Sequence, residues 1–283
     1  MSIVKMKRLR VIGFEEERDG LLQKLLHLGC VEISEPEDKL TDPEWTALLR
    51  RDGSALTDRK AEAAALSSAL DALKKYAPAK KGLFIKRKQI SEADFFSESV
   101  KAEALQGAER INECTREIAR IYSAENKLKS NLANLAPWSR MDVPLDGMST
   151  AHTQLILGTV PAAVELGALQ NELSQATDLA ELSEISSDKD QHYLLLIVHN
   201  SAAEDALAAL RPHSFGVIHF KDMAGTVAEN QEKLRAEIDA LNAERKQQEE
   251  RIAGEAPLRE KLQLCQDRDN QDISREAVAE RFM

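Results

Sequence analysis

Residues 111–137 read INECTREIARIYSAENKLKSNLANLAP, and the spacing of their apolar side chains determines the fold class that we expect. Along this stretch one set of positions repeats at alternating steps of three and four, which is the a/d pattern of a coiled coil. The set is Ile111, Cys114, Ile118, Ile121, Glu125, Leu128, Leu132 and Leu135. The pattern predicts a long helix whose seam faces another helix, and Pro137 is expected to end it.

A matching helical arm is predicted from about Gly225 to the end of the sequence. The same step recurs at Leu234, Ile238, Leu241, Arg245, Gln248 and Ile252, and Pro257 is expected to kink or briefly interrupt the helix. At 1.5 Å per residue this arm would be about 85–90 Å long, and the predicted helices 54–77 and 91–136 together reach only slightly further. Because the outgoing and returning arms match in length, we expect an antiparallel coiled-coil hairpin.

Between the arms the pattern changes from helical to short alternating runs. Strands are predicted at 152–160, 179–186, 191–199 and 215–220, with one helix starting at Pro161 and another at 201–211. The resulting order, βαββαβ, is that of a ferredoxin-like split βαβ sandwich.

The N-terminal segment 3–34 is predicted to be a βαβ unit, with strands at 3–14 and 30–34 around a leucine-rich helix that Gly29 ends. A unit this short cannot bury a core by itself, so we expect the strands that complete it to lie beyond residue 283 in a longer protein. The predicted fold is therefore α+β: an elongated dumbbell of two small α/β lobes joined by the hairpin. Its predicted parts are a proximal lobe at 1–50, outgoing helices at 51–137, the distal lobe at 138–222 and a returning helix at 223–283.

Composition excludes several classes of function. The chain has 283 residues, 4% of them aromatic, which argues against a large globular enzyme core. Its net charge of −10 makes nucleic acid an unfavourable partner, because phosphate binding needs a concentrated positive surface. The sequence has no apolar run long enough for a signal peptide or a membrane span, and Cys30, Cys114 and Cys265 are interpreted as reduced cytosolic thiols.

The motifs of catalysis and cofactor binding are missing from the sequence. The glycines are dispersed and form neither GxGxxG nor GxxxxGKS, so no nucleotide site is predicted. His199 and His219 are on predicted strands and can be placed face to face, but a structural histidine is the commoner case. We therefore predict no catalytic residue, no metal site and no cofactor.

A basic stretch before residue 90 is the most local candidate for binding. Lys80 and Lys81, then Lys86, Arg87 and Lys88, flank the apolar run 83–85. Such a loop can contact anionic lipid headgroups or an acidic protein surface. The alternative is a solvated loop that interrupts a helix, the usual origin of a charge run.

Three motifs carry a family resemblance: IVKMKRLRVIG at 3–13, LGCVEISE at 28–35 and LAPW at 135–138. In this order around two helical arms they resemble subunit I of the prokaryotic V-type ATPase/ATP synthase, the counterpart of eukaryotic subunit a. The resemblance implies the non-catalytic, cytosolic part of that subunit, at the cytoplasmic face of the cell membrane. It also implies that the ion half-channels and essential arginine belong to a membrane-embedded C-terminal half outside this sequence.

The family role that follows is that of a stator, which links the proton-translocating membrane sector to peripheral stalks and resists rotor torque. The implied partners are E/G-type peripheral stalk heterodimers, one at the distal lobe and one at the proximal lobe with the base of the hairpin. The membrane rotor and ion-translocating sector would be reached through the C-terminal half, and contact with the central-stalk subunit is left open.

Two other classes remain open from the sequence. A self-associating coiled-coil adaptor would pair its arms between molecules rather than within one. An enzyme is the third alternative, in which the ferredoxin-like tip binds a small ligand, and it rests on fold analogy alone.

Overall fold

The computed structural model describes residues 6–9, 11, 13–32, 54–79, 89–146, 149–221 and 223–281. The helices are α1 (Arg18–Leu28), α2 (Ser54–Tyr76), α3 (Glu92–Phe95), α4 (Glu98–Leu135), α5 (Leu166–Ala176), α6 (Ala203–Leu210), α7 (Val227–Gly254) and α8 (Arg259–Arg281). The strands are β1 (Thr153–Pro161), β2 (Ala180–Ser187), β3 (Gln191–His199) and β4 (Gly216–Ile218). The chain divides into two compact units, Met1–Glu117 with Gln248–Met283 (the helical unit) and Ile118–Gln247 (the sheet unit).

The sheet unit contains four antiparallel strands in the order β2-β3-β1-β4. The long central pair, β1 and β3, runs from Thr153 opposite His199 to Pro161 opposite Gln191. With α5 between β1 and β2 and α6 between β3 and β4, the chain order is βαββαβ, as the sequence predicted. The predicted strand 191–199 has the observed bounds, and the other three strands lie within a few residues of theirs.

Both faces of the sheet are covered, which explains why β3 is apolar along most of its length. One face packs on α5 and α6 through a core that includes Val160, Leu169, Leu194, Leu196 and Leu210. The opposite face packs on the ends of α4 and α7 through a second core. The second core contains Leu135, Trp138, Met141, Leu145, Leu157, Leu195, Val227 and Leu234.

Within the sheet unit α4 and α7 run antiparallel. Leu135 and Leu234 share the second core, while Glu125, ten residues earlier in α4, contacts Arg245, eleven residues later in α7. The seam positions that the three-four spacing predicted are turned inward: Ile121, Leu135 and Leu234 are buried, and Leu128 and Leu241 are half-buried. Helix α4 ends at Leu135, just before Pro137.

The helical unit is built on α2, the first part of α4, and α8. Its buried side chains alternate between large and small, with Leu66, Ala69 and Leu73 on α2 and Leu262 and Cys265 on α8. The alanines let α2 and α8 approach each other closely. A short 3-10 helix at Ala256–Leu258 separates α7 from α8, where Pro257 predicted a break.

The N-terminal prediction needs a correction. Helix α1 forms after a 3-10 turn at Glu15–Glu17, but the described residues of 6–14 and 29–32 form no strand. Their apolar side chains are exposed, Leu9 by 83% and Phe14 by 80%. A strand needs a hydrogen-bonded neighbour, and the described part of the chain supplies none to this segment. The rest of the predicted proximal lobe, from 33 to 50, lies outside the described residues.

None of the helices in the described ranges combines the length and the apolarity that a membrane span requires.

Candidate functional site

A concave surface of the sheet unit forms an open groove between α4 and α7, closed at one end by the sheet. It encloses about 1150 Å³. The α4 side is formed by Ala124, Lys127, Leu128, Asn131, Ala133 and Asn134, and the α7 side by Asn230, Lys233, Leu234, Glu237, Ala240, Leu241 and Glu244. Every one of these positions except Ala133 lies three or four residues from another, so each helix presents one continuous face to the groove.

The sheet end of the groove is aromatic. Trp138 is 1% exposed and packs edge-to-face against Tyr193 (centroids 5.6 Å apart) and Phe220 (6.2 Å). Met223 and Ile218 also line this end. Rings in this arrangement gain from the attraction between a ring edge and a ring face, so the groove has a rigid apolar floor.

Local hydrogen bonds fix Trp138 in place. Pro137 lies in the 3-10 helix Ala136–Trp138 that follows α4, and its carbonyl accepts a 2.7 Å hydrogen bond from the Ser186 hydroxyl on β2. The Tyr193 hydroxyl donates to Asp188 (2.8 Å) and accepts from the Gln191 amide (2.8 Å). Burial raises the pKa of Tyr193, so the phenol stays a neutral donor.

The rim of the groove carries an excess of positive charge. Lys127, Lys221 and Lys233 are exposed and make no ion pair with another described residue. Of the two glutamates on the rim, Glu244 is paired with Arg120 at 3.3 Å, whereas Glu237 has no such partner. The unpaired charges at the rim therefore sum to a positive value in a chain whose net charge is −10.

Beside the groove, the seam contains a buried carboxylate. Glu125 is 4% exposed and is paired with Lys129 on the same helix and with Arg245 of α7, at 3.1 Å. The hydrogen bond from Lys129 and the charge of Arg245 lower the pKa of Glu125, so the group is ionised at neutral pH. The Arg245 guanidinium also lies over the Tyr122 ring at 4.9 Å.

The helical unit contains a second cluster of buried charge. Asp269 on α8 is fully buried, and its Oδ1 accepts from Lys101 of α4 at 3.4 Å, while Lys101 also binds Glu62 of α2 at 2.8 Å. The other oxygen, Oδ2, has no hydrogen-bond partner among the described residues. Burial raises the pKa of Asp269, and the nearby Lys101 only partly offsets it. The cluster joins α2, α4 and α8, so we treat it as structural.

The basic residues predicted as a binding loop, Lys80, Lys81, Lys86, Arg87 and Lys88, all lie outside the described residues. His199 does not meet His219: its ring stacks on His152 with centroids 6.2 Å apart, whereas His219 lines the groove. Within the described ranges, no three His, Cys, Asp or Glu side chains are arranged to hold a metal ion.

Sequence reasoning did not find the groove. Leu128 and Leu241 were predicted as seam residues, and the seam pattern does not show that their other side faces an open surface. The signal was present at Ala124 and Ala240, small residues that flank the seam on the two helices. Their short side chains leave the space that the groove occupies.

The chain is similar to a curated protein and to a solved structure. The chain is 25% identical over 289 aligned residues to the A-type ATP synthase subunit I of Methanocaldococcus jannaschii, an alignment that covers 94% of this chain and 41% of that protein. The chain thus spans about two-fifths of the length of that relative. No protein-family model matches.

The solved structure is the cytoplasmic N-terminal domain of subunit I, homolog of subunit a, of V-ATPase. It aligns with a TM-score of 0.43 and 18% identity, over 94% of this chain and 86% of that one. The sequence alignment, which runs along nearly the whole chain, agrees with the resemblance carried by the motifs at 3–13, 28–35 and 135–138. Along nearly its whole length this chain is therefore similar to an A-type ATP synthase subunit I, and the family resemblance predicted from its sequence is confirmed.

Proposed function

We propose that this chain is the non-catalytic stator part of a rotary ATPase subunit I, located at the cytoplasmic face of the membrane. In this role it links the ion-translocating membrane sector to peripheral stalks and resists the torque of the rotor. The observation that carries the proposal is the sequence similarity to an A-type ATP synthase subunit I over 94% of the chain. Ion translocation belongs to the remainder of the subunit, so the residues here serve assembly.

The architecture of the sheet unit supports this role. Its βαββαβ order and its β2-β3-β1-β4 sheet are those of a ferredoxin-like lobe, which we propose as the distal lobe of the subunit. Helices α4 and α7 would be the two arms of the coiled-coil hairpin. Their apolar seam is covered within the same chain in the sheet unit, which argues against the adaptor that pairs its arms between molecules.

The proposed partners are E/G-type peripheral stalk heterodimers at the distal and proximal lobes, and the membrane sector through the rest of the subunit. The direct test is binding of this chain to the purified stalk heterodimer from the same organism, measured by biolayer interferometry. We expect saturable binding, and sedimentation of the chain alone as a monomer. Absence of heterodimer binding by the folded chain, together with concentration-dependent dimers, would support the adaptor and refute the stator role.

A further inference from the structure

We infer that the groove between α4 and α7 binds one amphipathic helix of a partner protein, with an apolar stripe flanked by acidic residues. This inference rests on the proposed function and adds to it the surface and the chemistry of the contact. The shape, the floor and the rim charges of the groove support it.

The shape fits a helix. Two antiparallel helices that each present a face at steps of three and four form a channel into which the ridges of a third helix can pack. The α7 wall extends from Asn230 to Glu244, about 21 Å at 1.5 Å per residue, so the channel accommodates roughly four helical turns. Ala124 and Ala240 face the channel and allow a close approach of the third backbone.

The floor requires an apolar stripe on the occupant. Leu128, Leu241, Phe220 and Met223 are only half-buried, so each keeps apolar surface that a partner can cover. Helix-in-groove recognition uses anchors at positions i, i+3, i+4 and i+7 of the bound helix. Trp138, beneath these side chains, provides an optical probe of occupancy because an occupant would change its surroundings.

The rim determines the charge of the occupant. Three lysines of the rim, Lys127, Lys221 and Lys233, have no ionic partner among the described residues. Of the two glutamates, Glu244 is paired with Arg120, and Glu237 alone has no ionic partner among the described residues. A helix with acidic flanks would pair with these lysines, and a basic helix would be repelled by them. Long-range attraction cannot explain such a preference, because the chain as a whole carries a net charge of −10.

The inference is tested with two synthetic 18-residue helical peptides that share one leucine stripe and carry either glutamate or lysine on its flanks. Binding is followed by Trp138 fluorescence in the full chain carrying Trp45→Phe. We expect the acidic peptide to bind at least about tenfold more tightly than the basic one at low salt, and the difference to shrink as salt is raised.

Two variants with equal changes in net charge separate the groove from the rest of the surface. The groove variant carries Lys127→Glu, Lys221→Glu and Lys233→Glu, and the control variant carries Lys60→Glu, Lys74→Glu and Lys246→Glu, three exposed lysines outside the groove. We expect the groove variant to weaken acidic-peptide binding by about tenfold or more and the control to change it less than threefold. All six side chains are exposed, so circular dichroism of both variants should match that of the unmodified chain.

Several outcomes overturn the inference. They are no binding of the acidic peptide, equal binding of the two peptides, equal losses in both variants, or self-association of the chain that only the groove variant abolishes. If the peripheral stalk heterodimer binds the groove variant and the unmodified chain equally tightly, the groove is not the contact, while the proposed stator role stands. If the heterodimer binds neither, the proposed function fails and the peptide experiment decides the groove alone.

Discussion

Replacing Gly158 by alanine tests how the first core of the sheet unit is packed. Gly158 lies in the middle of β1, opposite Leu194 of β3 and Val217 of β4. A Cβ at this position would come within 2.7 Å of three atoms of the Phe215 ring. Carbon atoms in contact are normally about 3.5–4.0 Å apart, so the ring would have to move by roughly 1.5–2 Å.

The expected free-energy change follows from two opposing effects. Overpacking of this kind costs about 1–3 kcal/mol, whereas alanine in a strand gains about 0.5–1 kcal/mol over glycine through the unfolded chain. We therefore expect Gly158→Ala to lower the free energy of unfolding by about 1–2 kcal/mol. In a Phe215→Ala background the obstacle is gone, and the same change should stabilise the unit by about 0.5–1 kcal/mol.

Urea unfolding is followed by Trp138 fluorescence in the chain carrying Trp45→Phe. It is measured for the four members of the double-mutant cycle: the parent, the two single variants Gly158→Ala and Phe215→Ala, and the double variant. Gly167→Ala in α5 is a matched control because a Cβ there meets nothing within 4 Å, and it should stabilise the unit by about 0.5–1 kcal/mol. An equal effect of Gly158→Ala in both backgrounds would refute the packing argument.

Three further changes are predicted. Asp269→Asn should raise the melting temperature at pH 7, because the burial that raises the pKa of Asp269 makes its ionised form costly in the folded chain. The difference in melting temperature between the variant and the unmodified chain should shrink as the pH falls through that raised pKa. A difference that grew on acidification would contradict this reasoning. Trp138→Ala should lower the free energy of unfolding by about 3–5 kcal/mol in urea, monitored by circular dichroism, and a loss under 1 kcal/mol would exclude Trp138 as the floor of the second core. Arg110→Ala should cost only about 0.5–1 kcal/mol at low salt and less in 1 M NaCl, since its two hydrogen bonds to Glu255 (2.8 and 2.9 Å) are exposed; a loss unaffected by salt would indicate a packing role instead.

The helices and the strands could be predicted from the sequence because each depends on the spacing of apolar residues within a short stretch of the chain. The three-four spacing from Ile111 to Leu135 requires one helical face, and the structure turns that face inward. The short apolar runs in 152–160 and 191–199 likewise predicted strands β1 and β3, whose pairing buries apolar side chains on both faces of the sheet.

The N-terminal strands and the groove depend on tertiary contacts that local pattern does not carry. The β-branched residues around Val11 favour a strand, yet the described residues there form none, because strand formation needs a paired neighbour. Lys127 and Lys233 line opposite walls of the groove, and no local pattern in the sequence predicts that they lie near each other. Only the alignment of α4 with α7 brings them together.

The pairing of Glu125 with Arg245 has a mechanical consequence for the two arms of the sheet unit. A heptad seam can in principle slide by seven residues, about 10.5 Å, and recover the same apolar pattern. Seven residues to either side of Arg245 along the chain are Ile238 and Ile252, so either slip would bring the Glu125 carboxylate against an isoleucine and leave it only Lys129 of its own helix as a counter-charge. We therefore expect the arms to prefer one register under an axial load. They would separate along their whole length rather than slide past each other.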